Sequence, residues 1–126
     1  MRPLQGRGFL TGSAKPAAEY DEDDMRRTDP RWQPGNFDKN LDAVNRLTEI
    51  ARYKGISVSQ LALAWLLAQG DDIVPIPGSR RQERVAENAG AADIALTAAD
   101  LAAIEQILPH GGFGERYANG ATPVWI

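Results

Sequence analysis

The stretch from Ile73 to Asn88, IVPIPGSRRQERVAEN, combines residue types that bind anions. A serine and two arginines follow a Pro-Gly pair, where an apolar run gives way to a segment that we predict to be helical over Arg80–Ala89. The first turn of a helix has unpaired N–H groups and the positive end of the helix dipole, which attract anions. Arg80 and Arg84, four residues apart, would share one helical face. Because guanidinium groups form paired hydrogen bonds with phosphate, the pattern predicts a phosphate site.

The same residues have a structural interpretation that the pattern leaves open. Ser79 would then be the N-cap of the helix, and the arginines would be a solvated face paired with Glu83 and Glu87.

Two other features give weaker chemical signals. The acidic run 19–24 lacks the spaced ligands and central glycine of a calcium-binding loop, and His110, the single histidine, has no cysteine partner for a metal. We therefore predict no metal site.

Composition places the chain among ordinary soluble domains. Its 126 residues suffice for one modest core, and 43% hydrophobic and 25% charged residues are typical of globular proteins. A net charge of -3 gives no reason to expect a nucleic-acid partner, and the absence of cysteine fits the cytoplasm. The N-terminus lacks the apolar stretch of a signal peptide. The longest apolar run, LALAWLLA, is far shorter than the roughly 20 residues that span a bilayer, so we expect no membrane association.

Periodicity predicts the elements that position these residues. Residues 1–39 are rich in Gly, Pro and charge and are predicted to form a long loop. A helix begins near Asn40 and ends at Gly55. A capping box at Ser57 and Gln60 begins a second helix. Because this helix is apolar nearly all round, we expect it to be buried on most sides. The apolar stripe of the first helix consists of Leu41, Val44, Leu47, Ile50 and Ala51.

The second half of the chain is predicted to contain one short strand and two helices. Ile73–Ile76 has the β-branched residues of a strand, although two prolines remove backbone donors there. Thr97 and Asp100 resemble a capping box and begin the last helix, whose stripe includes Ile104. Residues 109–126 have no period and are predicted to be an irregular tail.

Longer motifs resemble the C-terminal part of the aldo-keto reductases. The segment IPGSRRQERVAEN, followed by AGAADIALTAADLAAIEQILP, is similar to the cofactor-binding end of that family. GRGFLTG resembles the stretch after the seventh barrel strand, DEDDMRRTDPRWQPGNFDKNL the following loop, and GISVSQLALAWLLAQ the helix before the eighth strand. The family's fold is a (β/α)8 barrel. The resemblance therefore implies an α/β chain that forms the C-terminal segment of a TIM barrel, mostly helical with one or two short strands, with the eighth strand inside residues 40–108.

The resemblance also implies NADPH as cofactor. Ser79 and Arg84 would hold the adenosine 2′-phosphate, with Arg80 beside it, while Glu87 and Asn88 would lie against the adenine. Close approach of the cofactor would need Gly78, and the stretch near the pyrophosphate would include Leu4, Gly6 and Arg7. Where the family has Ser-Pro-Leu-Gly, this chain has Arg-Pro-Leu-Gln.

In this family the catalytic aspartate, tyrosine, lysine and histidine precede every segment matched here. We therefore expect an oxidoreductase segment that binds NADPH, has no catalytic residue of its own and is inactive alone. Its partner would be the missing N-terminal barrel half, without which the apolar helices would lack a partner surface. Two alternatives stay open: a non-catalytic nucleotide-binding module, or a subunit that completes a split barrel in trans. An unrelated helical domain is a third.

Overall fold

The computed structural model describes residues 6–118, whose core is built by α-helices. The helices are α1 (Asn36–Tyr53), α2 (Val58–Leu67), α3 (Gln82–Gly90) and α4 (Ala98–Ile107). Short 3-10 turns occupy the stretch before α1 and the junction between α3 and α4; they are Gly6–Thr11, Ala17–Glu19, Met25–Arg27, Pro30–Trp32 and Ala91–Asp93.

Helix α1 forms where the apolar stripe predicts it. Val44, Leu47 and Ala51 are buried along one face, which confirms the helical period. Leu41 departs from the prediction, because 39% of its surface is exposed. The helix begins at Asn36 rather than near Asn40, directly after Gly35, whose φ of 86° suits the turn into the helix.

Both predicted capping boxes are confirmed. In α2, the Ser57 hydroxyl accepts a hydrogen bond from the Gln60 backbone N–H at 3.1 Å, and the Gln60 side chain accepts one from the Ser57 N–H at 3.2 Å. In α4, Thr97 and Asp100 make the same reciprocal pair at 3.1 and 2.8 Å. These bonds satisfy N–H groups that the first turn of a helix leaves without partners, and so fix where each helix begins.

Helices α1, α2 and α4 bury one apolar cluster between them. The expectation that the apolar helices would lack a partner surface is wrong for Leu47 and Leu61, which are 6% and 2% exposed. Packing within the chain supplies that surface. The buried members of the cluster are Ala43, Leu47, Ala51, Leu61, Ile104 and Ile107.

A second, aromatic cluster joins the N-terminal turns to α1. The Phe9 ring lies 4.4 Å from Trp32 and 5.4 Å from Phe37, measured between ring centroids, and Val44 completes the cluster. Tilted rings at these distances are favourable beyond the area they bury. The region predicted as a long loop is therefore held to α1 by Phe9 and Trp32.

The prediction of one or two short strands is wrong. Residues 6–118 contain no strand, only an isolated bridge between Pro109 and Gly111. The segment Ile73–Ile76 runs without a hydrogen-bonded partner strand, and Val74 and Ile76 are 79% and 58% exposed. A strand needs a neighbour with which to exchange hydrogen bonds, and Pro75 and Pro77 have no N–H to donate.

Candidate functional site

Ser79 lies in a turn that precedes α3 rather than at the N-cap of the helix. Its hydroxyl accepts a hydrogen bond from the Arg81 backbone N–H at 3.2 Å, and Arg81 is the N-cap residue of α3. A serine bonded to the backbone two residues further on stabilises a turn, which delays the start of the helix to Gln82. The N-cap interpretation of Ser79 is therefore wrong. Arg80 precedes the helix, so the shared helical face with Arg84 is also wrong.

The segment Gly78–Arg81, which we call the arginine loop, exposes its cations. Arg80 and Arg81 are exposed and form no ion pair with any residue of the described range 6–118. Arg84, on α3, pairs with Glu87 at 2.9 Å, and its side chain is 55% exposed. The pairing interpretation thus holds for Arg84, while two guanidinium groups beside the helix N-terminus are available to an anion.

Helix α3 is held at one end by α2. Gln60 Nε2 donates a hydrogen bond to the Glu87 carbonyl at 2.9 Å, and a Cβ added to Gly90 would lie 3.2 Å from that same nitrogen. Helix α3 has no buried residue, although Asn88 is half-buried. A Cβ added to Gly78 would meet nothing within 4 Å, so the space beside this backbone is open.

Gly6 and Arg7 begin a kinked 3-10 turn in a different environment. Arg7 has φ 56° and ψ 28° and is the only non-glycine residue in the described part of the chain with positive φ. Its guanidinium pairs with Asp29, which is 4% exposed, and lies 5.2 Å from the Tyr117 ring centroid. None of the hydrogen bonds or ion pairs described for residues 6–118 joins Arg7 to α3. Leu4, predicted beside the pyrophosphate, lies outside the described residues.

A small cavity surrounds the Arg7–Asp29 pair, and of its lining residues only Gly6 and Arg7 were predicted as site residues. Its volume is about 40 Å³. We call it the Asp29 cavity. It is lined by Gly6, Arg7, Asp29, Arg31, Trp32 and Arg116. These residues are far apart in the sequence, and no local pattern marked Arg31, Trp32 or Arg116 as neighbours.

Asn40 holds the tail against this cavity. Its side-chain amide accepts from the Phe113 N–H and donates to the Phe113 carbonyl, both at 2.8 Å, and also donates to the Arg31 carbonyl at 3.2 Å. A Cβ added to Gly114 would lie 3.0 Å from the Pro30 carbonyl oxygen. Glycine therefore lets the tail approach closely enough for Arg31 Nε to donate to the Gly114 carbonyl at 3.2 Å.

A larger cleft, of about 340 Å³, lies beside α1 but contains none of the predicted site residues. It carries charges of both signs, from Asp38, Lys39, Asp42 and Arg46. Neither a single charge sign nor an unpaired buried group selects a ligand there.

The structure thus contains two groups of arginines: exposed arginines before α3 and arginines that line the cavity around Asp29. Comparison with known proteins identifies the family. Residues 1–109 match the model of the aldo/keto reductase family, and the chain belongs to that family.

Individual relatives agree with this assignment. Aldo-keto reductase yakc of Schizosaccharomyces pombe, whose name includes NADP(+), is 46% identical over 117 residues, which is 92% of this chain and 34% of that protein. Aldo-keto reductase str7 of Strobilurus tenacellus is 40% identical over 81% of this chain and 30% of its own length. Probable aldo-keto reductase 1 of Glycine max is 37% identical over 91% and 33%. The chain spans about a third of the length of these curated relatives.

The described helices give no indication of a membrane span. Within residues 6–118, none of the helices is both long enough and apolar enough to cross a bilayer.

Proposed function

We propose that this chain is the C-terminal, NADPH-binding part of an aldo-keto reductase that reduces aldehydes and ketones to alcohols. The observation that carries the proposal is the arginine loop. In a member of this family, it presents Arg80 and Arg81 to solvent beside the Ser79 hydroxyl and the first turn of α3.

The residues of the loop fit a phosphate group. The first hydrogen bond of the helix runs from the Val85 N–H to the Arg81 carbonyl, so the N–H groups between them have no partner within the helix. A dianionic phosphate placed there would gain these donors and the nearby guanidinium groups. NADPH carries such a phosphate on its adenosine ribose and NADH does not, so the loop favours NADPH.

We propose separate roles for the residues around the loop. Ser79 and Arg84 hold the 2′-phosphate with Arg80 beside it, while Glu87 and Asn88 lie against the adenine. Glu87 already fixes the Arg84 guanidinium at 2.9 Å, which orients it before any ligand binds. The open space at Gly78 admits the ligand to the backbone. The pyrophosphate would pass near Leu4, Gly6 and Arg7.

When bound, NADPH would provide hydride chemistry for the reduction of a carbonyl carbon. In this proposal the chain binds and orients that donor, and the acid that protonates the carbonyl oxygen comes from the N-terminal barrel half of the enzyme. The 126-residue chain alone is expected to give no NADPH oxidation with a panel of aldehydes.

Isothermal titration of the full chain with NADPH and NADH tests the site. We expect tighter binding of NADPH, and we expect Arg84→Ala to weaken NADPH binding by about tenfold or more, since charge-assisted bonds to phosphate contribute roughly 1.5–3 kcal/mol. NADH binding should change little. Arg52→Ala is the matched control, because the Arg52 side chain is 74% exposed elsewhere on the surface, where it pairs with Glu49.

Equal affinities for the two dinucleotides would contradict the phosphate site. So would an equal loss of NADPH affinity in Arg84→Ala and Arg52→Ala, since that result would report only the net charge of the chain.

A further inference from the structure

The Asp29 cavity gathers more positive than negative charge. Three guanidinium groups lie there, from Arg7, Arg31 and Arg116, and they share one buried carboxylate. The two oxygens of Asp29 are already engaged, one with the Arg7 guanidinium and one with the Arg31 backbone N–H at 2.9 Å. Within residues 6–118, Asp29 forms no ion pair with the Arg31 or Arg116 guanidinium, so these two groups share its charge only at longer range.

The electrostatics of Arg31 reflect this crowding. Burial is the largest cause that lowers its pKa, and the charges of Arg116 and Arg7 lower it further, whereas the carboxylates of Asp29 and Glu115 oppose the decrease. Within residues 6–118 the Arg31 guanidinium makes only one hydrogen bond, from Nε to the Gly114 carbonyl. A half-buried cation that lies near other cations would be stabilised by a bound negative charge.

Two residues that line the cavity carry buried donors without an acceptor in the described part of the chain. The Trp32 indole Nε1 and the Arg116 Nη2 are buried and have no hydrogen-bond partner within the described residues. Trp32 is 1% exposed and its ring packs on Phe9, so the indole cannot turn toward solvent without breaking the aromatic cluster. Leaving a buried donor unpaired is unfavourable, and most such groups in proteins have a partner.

The cations are also held in place before any ligand arrives. Arg7 and Arg116 both lie over the Tyr117 ring, 5.2 and 5.5 Å from its centroid. Asn40 fixes the tail that carries Arg116 through its bonds to Phe113. Because these contacts restrict the guanidinium groups, an anion would meet them with little further loss of side-chain freedom.

We propose that the Asp29 cavity binds one oxyanion group, a carboxylate or a phosphate, through Arg31, Arg116 and the Trp32 indole. The volume of about 40 Å³ admits a group of a few atoms, since a water molecule needs about 10–15 Å³. The cavity therefore receives the anionic end of a ligand rather than a whole ligand. The cavity shares Gly6 and Arg7 with the stretch proposed near the pyrophosphate, but Arg31, Arg116 and Trp32 have no role in that proposal. The inference therefore does not rest on NADPH binding at the arginine loop.

Trp32 provides a site-specific readout. The chain has three tryptophans, so a ¹⁵N-labelled full chain gives three indole N–H signals in an NMR spectrum, and Trp32→Phe assigns one of them. Titration with sodium phosphate, sodium acetate and sodium chloride at constant ionic strength should move the Trp32 signal saturably with an oxyanion and much less with chloride. The response to phosphate or to acetate identifies the preferred group.

Arg116→Gln is expected to weaken the oxyanion response about tenfold, because it removes a charge-assisted donor. Arg52→Gln, an exposed arginine on α1, should leave the response unchanged. No movement of the Trp32 signal, equal movement with chloride, or an undiminished response in Arg116→Gln would overturn the proposal. If Arg116→Gln fails to fold, the comparison of oxyanions with chloride on the unmodified chain still tests whether the cavity binds oxyanions. Arg84→Ala, which tests the proposed 2′-phosphate site, should not affect this signal, so the two proposals can fail separately.

Discussion

The arginine loop and the Asp29 cavity use the same side chain in opposite environments. The loop precedes α3, a helix with no buried residue, and its Arg80 and Arg81 are exposed. The cavity lies beside Trp32, which is 1% exposed, and around Asp29, which is 4% exposed. One cluster is held by a single short helix, whereas the other is held by an aromatic cluster and the Asn40 bonds to the tail.

The difference in exposure between the two clusters predicts how each would bind an anion. Ordering a long exposed side chain costs roughly 0.5–1.5 kcal/mol, so the arginine loop must gain that back from the ligand. Its exposed charges also act in solvent, where salt screens them. At the Asp29 cavity the cations are already restricted and partly desolvated, so geometry selects the ligand there. The loop therefore suits a large ligand with several contacts, and the cavity suits one small group.

The largest loss of stability is expected from Asn40→Ala. This change would release the tail and remove the preorganisation that distinguishes the Asp29 cavity from the arginine loop. Asn40 is 6% exposed and makes three hydrogen bonds, to Phe113 and Arg31. Their loss leaves backbone groups unpaired, so we expect the free energy of unfolding to fall by about 2–4 kcal/mol in urea denaturation. The Trp32 indole signal should also lose its response to oxyanions.

Asn45→Ala is the matched control for this change. Asn45 lies on the exposed face of the same helix, and its replacement should change stability by less than about 0.5 kcal/mol. Similar losses in the two variants would mean that Asn40 does not organise the cavity.

The helices could be predicted from the sequence because their signals are local. The capping boxes at Ser57 and Thr97 lie within one turn of the residues they bond, and the stripe of α1 repeats every three or four residues. The strand at Ile73–Ile76 could not be judged locally, since β-branched residues indicate a strand only where a partner strand exists. The start of α3 was misplaced because the Ser79 hydroxyl bonds to Arg81, a choice that spacing alone does not reveal.

The two arginine clusters also differ in how far they could be predicted from local sequence signals. Arg80 and Arg84 are near neighbours in the sequence, so their pattern was visible, and their roles toward NADPH stay predictions. Arg7 was named for a role near the pyrophosphate, but its pairing with Asp29 was not predicted. Arg31 and Arg116 come together only because Asn40 and Gly114 bring the tail to Pro30–Trp32. Contacts of such long sequence separation follow from packing and have no periodic signal.

A smaller loss of stability is expected from Asp100→Asn. This change tests how far the attachment of the tail depends on the helix that precedes it. Asp100 caps α4 and pairs with Lys54 of the α1 C-terminus at 2.7 Å, so it joins α1 to the helix that leads into the tail. The Lys54 ammonium is the main cause that lowers the pKa of Asp100, and the Thr97 backbone N–H adds to it. Replacement should cost about 1 kcal/mol at pH 7.

The sign of the pH dependence follows from that lowered pKa. Asp100 is ionised more readily in the folded than in the unfolded chain, so its contribution is full above about pH 4, near the unfolded value, and is lost as pH falls through the folded pKa. The stability difference between the unmodified chain and Asp100→Asn should therefore narrow in urea denaturation below about pH 4. Asp42→Asn, an exposed acid on α1, serves as control. A difference that stays constant down to pH 2 would rule out the ionic contribution.

The smallest effect on stability is expected from Arg84→Gln. This change tests whether an exposed arginine of α3 contributes to NADPH binding without contributing to folding. The Arg84–Glu87 pair lies on the surface, with the Arg84 side chain 55% exposed, and exposed pairs contribute about 0–1 kcal/mol. Helix α3 buries no residue whose packing the change would disturb. The free energy of unfolding should thus stay within about 0.5 kcal/mol of the unmodified chain, while NADPH affinity falls about tenfold or more.

The ratio of these two effects separates a binding residue from a structural one. Glutamine keeps much of the length and polarity of arginine but removes its charge and its paired donors, so a loss of NADPH affinity at unchanged stability points to contact with phosphate. Calorimetric titration and urea denaturation of the same preparation measure both quantities. If Arg84→Gln destabilised the chain as much as Asn40→Ala does, α3 would belong to the packed structure, and the arginine loop would no longer differ in kind from the Asp29 cavity.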